Sequence, residues 1–216
     1  MANKEETKKN EKTYENRQII RIDVKSKFVE VLDTGFDIGK VALNFIEYDD
    51  SKKSGERITQ QIMIYMDFAK FRVFAHDMLS GRFAKLAADK KLRYQDLTGT
   101  PAERLKAQNR EREDGKAESR KLSLTPSAKG FFFTAESGPG EEMETGLIKP
   151  AGKAEKKVSI PMDADQSKQL VLMTLAAIDA YEIAKATTKQ MKSLLNEQLE
   201  KILTEKGIIN SKNAKA

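Results

Sequence analysis

The chain has 216 residues, with 39 Lys and Arg against 33 Asp and Glu, a formal charge of +6, a single histidine and no cysteine. Disulfide frameworks, thiolate nucleophiles, cysteine-ligated zinc and a histidine-rich metal site are thereby excluded. No run approaches the ~18 apolar residues of a membrane span, and the Lys/Glu-rich start lacks the apolar stretch of a signal peptide, which predicts a cytoplasmic protein with mixed surface charge and room for a polyanionic partner.

Residues 1–16 are charged and aperiodic and read as a disordered arm. Four strand candidates follow: Gln18–Val24, Ser26–Leu32, Gly39–Tyr48 and Arg57–Met66, separated by turn-forming stretches such as Asp33-Thr34-Gly35. In the third, Val41, Leu43 and Phe45 alternate with Lys40, Ala42, Asn44, Ile46 and Tyr48, so one face is apolar and the other mixed. At Asp67 the period changes. Phe68, Phe71, Ala75, Met78, Leu79, Phe83 and Leu86 recur at helical spacing behind Asp67 as N-cap, to about Ala88, with Gly81 as an interruption.

Residues 89–120 are polar and read as a linker or long loop. Arg104–Lys121 mixes seven positive with four negative charges, a solvated stretch or, alternatively, a finger that touches phosphates. Strand candidates then resume at Lys121–Thr125, Lys129–Ala135, Glu144–Ile148 and Lys156–Met162, with Gly138-Pro139-Gly140 read as a turn between the second and third. A helix is predicted from Asp163 or Asp165, and a separate C-terminal helix over 188–205 carries Met191, Leu194, Leu195, Leu199 and Ile202. Residues 206–216 form a basic tail.

Two Met-Asp pairs, Met66-Asp67 and Met162-Asp163, each follow a strand and open an amphipathic helix. Four strand candidates precede each, so the chain reads ββββα twice, 17–88 and 121–187. The predicted class is α+β, with two antiparallel sheets and packed helices. One helix per sheet leaves a sheet face open.

This order resembles the Whirly-type single-stranded DNA-binding proteins. Gly39-Lys40-Val41-Ala42-Leu43 is similar to the Lys-Gly-Lys-Ala-Ala-Leu motif of that family, with Ile38 in place of its first Lys and Val41 in place of an Ala. The resemblance implies single-stranded DNA along the sheets and assembly into a homo-oligomer, a tetramer above others. Functionally similar proteins occur in bacteriophages and mobile elements. Lys40 then meets phosphate, Asn44 a base edge or backbone, and Tyr48 stacks; Gln60, Gln61 and Tyr65 line the same groove, and Lys121, Lys129 and an exposed ring of Phe131–Phe133 complete the interface.

Strand alternation leaves two options for those rings: Phe132 alone, or Phe131 with Phe133, points away from the covered face. Burial against a second sheet or subunit competes with stacking. His76 has no triad partners nearby, and no phosphate-cradling loop or paired-carboxylate motif is visible, so a non-enzymatic protein without cofactors is predicted. The function expected is sequence-tolerant single-stranded DNA binding in replication, recombination or DNA transfer. The alternatives are RNA binding or transcription modulation on the same fold, and an oligomeric protein-binding scaffold.

Overall fold

The computed structural model describes residues 17–206; the predicted arm and nearly all of the basic tail lie outside them. Apolar alternation builds the first sheet. β1 (Gln18–Val24), β2 (Lys27–Leu32), β3 (Lys40–Tyr48) and β4 (Ile58–Asp67) pair antiparallel in chain order. Register sets Ile22, Val29, Phe45 and Ile62 in one row across all four strands, and all four are buried. A 3-10 turn over Phe36–Ile38 leads into β3. It closes at Gly39, which takes the left-handed conformation (φ 69°) that a side chain would resist, and its N–H donates to the Phe36 carbonyl.

The helix after β4 is divided as Gly81 suggested. α1 (Phe68–Leu79) and α2 (Arg82–Ala88) meet at Gly81, with φ 75°. Asp67 sits at the N-cap position of α1, but its side chain makes no cap hydrogen bond.

The second sheet corrects three expectations. First, 89–120 is no linker: it holds β5 (Gln95–Thr100), α3 (Ala102–Ala107) and the start of β6 (Ala117–Pro126). Second, Gly138-Pro139-Gly140 is not a turn but lies within β7 (Gly130–Glu142). Its glycines serve close approach: a Cβ on Gly140 would sit 2.5 Å from Ile148 Cγ2. The chain reverses instead at Met143–Gly146, where the Gly146 N–H donates to the Met143 carbonyl. Third, the strand expected at 144–148 is only β8 (Ile148–Pro150). β9 (Lys156–Asp163) skips β8 and pairs with the first part of β7, while β8 takes the far end, giving a five-stranded sheet with β5 on the opposite edge.

α4 (Ala164–Glu205) opens on a capping box. The Gln166 N–H donates to Asp163 Oδ1 at 2.8 Å, and the Asp163 N–H donates back to Gln166 Oε1 at 3.1 Å. The separate helix expected at 188–205 is a continuation of α4, because no Gly or Pro falls between 164 and 205.

One core joins both halves. Phe71, Phe74, Phe83, Phe131 and Phe133 are buried together with the inner faces of both sheets and with Leu170, Val171 and Ile178 of α4. The helices reach across both halves: Phe74 of α1 meets Phe133, and Phe83 of α2 meets Phe131, in edge-on ring contacts, while α4 lies against β1 as well as β7 and β9. β4 runs across the second sheet, touching β9, β7, β6 and β5. No helix among the described residues is long and apolar enough to cross a membrane.

Candidate nucleic-acid interface

Alternation places Lys40, Ala42, Asn44, Ile46 and Tyr48 on the side of the first sheet opposite its core, as the pattern predicted. Register adds Phe28 and Glu30 from β2, and Gln61, Met63 and Tyr65 from β4. Lys40 and Tyr48 lie at opposite ends of β3, about 26 Å apart at ~3.3 Å per residue. The Tyr48 end is aromatic. The Phe28 and Tyr48 rings are 5.9 Å apart, and the Arg21 guanidinium sits 3.5 Å from the Phe28 centroid.

Asn44 does not offer its amide to a ligand. It is only 3% exposed; its Nδ2 donates to Glu30 Oε1 at 2.8 Å, and its Oδ1 accepts from Gln61 Nε2 at 3.0 Å. A buried amide must find partners, and these two come from neighbouring strands. Gln61 stays exposed, with its amide nitrogen committed to Asn44. Gln60 bridges the halves, accepting the Lys157 backbone N–H at 2.9 Å.

The Lys40 end opens into a cleft between the sheets, a cavity of about 270 Å³. Lys40 and Tyr65 line it from the first sheet, and Arg104, Arg110 and Arg120 from α3, the following loop and β6. No acidic side chain lines it. Two carboxylates stand close behind. Asp67 pairs with Lys40 at 3.0 Å. Glu118 accepts from Arg110 at 3.3 Å, from Ser137 Oγ at 3.0 Å and closely from Arg120. Arg120 alternates inward with Leu122 and Leu124, is 7% exposed, and also donates to Thr100 Oγ1 at 3.1 Å. Arg104 is exposed and has no ion pair among the described residues. Four cations against two carboxylates leave the cleft positive. Guanidinium forks suit phosphate oxygens, and a concave wall concentrates the field.

On the outer side of the second sheet, Phe132 is 38% exposed while Phe131 and Phe133 are buried, so Phe132 is the ring that points away. Lys121 shares that face four residues further along the neighbouring strand, opposite and in close contact with Glu136, which Lys157 reaches at 3.2 Å. Burial pushes the Glu136 carboxyl up, but hydrogen bonds and charge from the two ammoniums outweigh this and hold it below the usual carboxylate range. Lys153 joins Lys121 and Lys157 around an adjoining cavity of about 290 Å³ floored by Gly138 and Pro139. Lys129 is exposed in the β6–β7 turn with no ion pair among the described residues.

The fold thus brings Lys40 and Tyr65 together, sets Tyr48 at the far end of their sheet face, and places Lys121 and Phe132 on the other sheet. Sequence reasoning missed Arg104, Arg110 and Arg120 as members of the cleft. The alternation Arg120, Leu122, Leu124 was the available sign of an inward-facing arginine. His76 is exposed beside Asp77, and no cluster of metal-ligating residues occurs among the described residues. No family model matches the chain, and no curated protein matches it.

Proposed function

We propose that this protein binds single-stranded nucleic acid, DNA in the first instance, without catalysing a reaction on it. The observation that carries the reading is the cleft in which Lys40, Arg104, Arg110 and Arg120 converge beside Tyr65 with no lining carboxylate. Cations tracking a backbone, with rings beside them for unstacked bases, are what single-strand binding requires. The strand enters at the cleft and continues over the outer face of the first sheet toward Tyr48. Paired bases in a duplex offer no faces to such rings, so single strands are favoured. The similarity to Whirly-type proteins points the same way, and with it to a cytoplasmic role in replication, recombination or DNA transfer. The test is fluorescence anisotropy with single-stranded DNA, single-stranded RNA and duplex at several salt concentrations. Tighter single-strand binding that falls steeply with salt is expected. Equal affinity for duplex, or no binding at low salt, rejects the proposal, and absence of binding favours a protein-binding scaffold. Tighter binding to RNA than to DNA moves the role to RNA.

A further inference from the structure

α4 leaves the body of the protein at Tyr181. Up to that point it is tied down: Ile178 is buried, the Tyr181 hydroxyl donates to Asp37 at 3.1 Å, and Arg72 of α1 reaches Asp179 and Glu182 at 2.8 and 2.7 Å. From Ile183 to Glu205 every side chain except Leu203 is exposed. This stretch extends about 35 Å at 1.5 Å per residue. In proteins most of a helix's stability comes from packing an apolar face rather than from its own hydrogen bonds.

Such a face is present and unpartnered. Thr188, Met191, Leu195, Leu199 and Ile202 follow at spacings of 3, 4, 4 and 3, within a stripe about 80° wide at 100° per residue. The four large apolar side chains are each about half exposed or more, Leu195 most at 60%. The spacing reads identically in both directions from Leu195. A two-fold contact uses the same patch on both copies and therefore demands this kind of self-complementarity. Turning a second copy antiparallel sets Thr188 against Ile202, Met191 against Leu199, and Leu195 against itself.

Charge has the same polarity. Lys185, Lys189 and Lys192 occupy the first half of the stretch, while Glu197, Glu200 and Glu205 with Lys201 occupy the second. No salt bridge among the described residues involves any of them, and Lys185 sits 5.4 Å from the centre of the Tyr181 ring. Antiparallel alignment lays the lysine-rich half of each helix alongside the glutamate-rich half of the other, an attraction that added salt screens. Parallel alignment lays like on like. The helix dipoles also oppose each other in the antiparallel arrangement.

We infer that α4 beyond Tyr181 is the surface through which two copies of this chain associate, as an antiparallel helix pair centred on Leu195. The two bodies then sit at opposite ends of the helical rod, and the contact is independent of any nucleic acid.

The chain has no cysteine, so introduced thiols report without background. Light scattering on the full chain at micromolar concentration is expected to give an even multiple of the 24.3 kDa chain mass. Leu195→Glu sets two carboxylates on the axis and is expected to halve the mass while leaving the melting transition of the body in place. Under mild oxidation, Thr188→Cys mixed with Ile202→Cys is expected to give a disulfide-linked pair, and Thr188→Cys alone none. A monomer mass for the wild type, an unchanged mass for Leu195→Glu, or cross-linking of Thr188→Cys alone without the mixed product overturns the proposal. If Leu195→Glu fails to fold, the thiol pair decides, because both of its positions are exposed.

Discussion

The two strand-to-helix junctions carry the same dipeptide and put it to different use. Met66 and Met162 are both buried, and Asp67 and Asp163 both stand at the N-cap position. Asp163 caps its helix. Asp67 does not; its carboxylate turns to Lys40 at the mouth of the cleft. The residue three positions on differs between them. Gln166 can accept from the Asp163 backbone and complete a reciprocal box, whereas Lys70 has no acceptor and pairs with Asp96 at 3.0 Å instead. One junction anchors a helix of 42 residues; the other ends after 12 at Ser80-Gly81 and holds a cation near the proposed path of the ligand.

The comparison treats the halves as unlike in local role but joined in one core, and the largest expected effect tests the joint. Phe133→Ala removes a buried ring that meets Phe74 across the two halves, and a loss of ~3–5 kcal/mol is expected. Denaturant titration followed by two probes should show one transition shifted as a whole; two transitions, with only one moved, would mean independent halves. Next comes the cap itself. Asp163→Ala should cost ~1 kcal/mol, and Asp67→Ala no more than ~0.5 kcal/mol, in the range of surface changes without a special role. Equal losses at the two sites would erase the distinction between the junctions.

Binding separates them in the opposite sense. Lys40→Ala and Arg104→Ala should each lower the salt slope for single-stranded DNA by ~0.7 in log–log terms with melting unchanged, Asp67→Ala should tighten binding at low salt by freeing Lys40, and Asp163→Ala should do neither. The smallest effect concerns acid. Because the Glu136 carboxyl is held below its ordinary value, its contribution to stability is fully present above the unfolded carboxylate pKa and is lost as pH falls through the depressed folded value. Glu136→Gln should therefore flatten the acid side of the stability profile slightly and leave neutral pH almost unaffected. A variant profile parallel to wild type would show that Lys121 and Lys157 do not act on Glu136.

Much of the fold was legible because two-residue alternation reports burial directly. Val41, Leu43 and Phe45 face the core as read, and the helical period after Asp67 marks α1 correctly. β5 was not legible: Gln95–Thr100 has a single large apolar side chain, Leu97, and is held as an edge strand by its pairing with β6. Gly138-Pro139-Gly140 misled because those residues usually punctuate turns, whereas here the missing side chain of Gly140 admits Ile148 and that of Gly138 admits the backbone of 153–155. At the candidate site, alternation placed Lys40, Tyr48 and Tyr65 on the outer face of the first sheet, where the register puts them. It could not show that Asn44 is consumed by Glu30 and Gln61, since a hydrogen bond between strands depends on register. Nor could it gather Arg104, Arg110 and Arg120 around Lys40, because that convergence is a product of the crossing of the sheets.

The reach of the helices across both halves bears on how the chain responds to being cut. Lys90 and Lys91 are exposed in the short connection after α2, so a protease that recognises lysine can reach this point without unfolding either sheet. The piece ending at Lys90 carries Phe74 and Phe83 with no second sheet to receive them; the piece beginning at Lys91 carries α4 with no β1 to lie against. Each fragment is thus the other's missing core. The nicked protein should remain a single particle until denatured, and the two separately produced fragments, each poorly folded alone, should regain structure on mixing, which makes this connection the natural place to divide the chain for a complementation reporter.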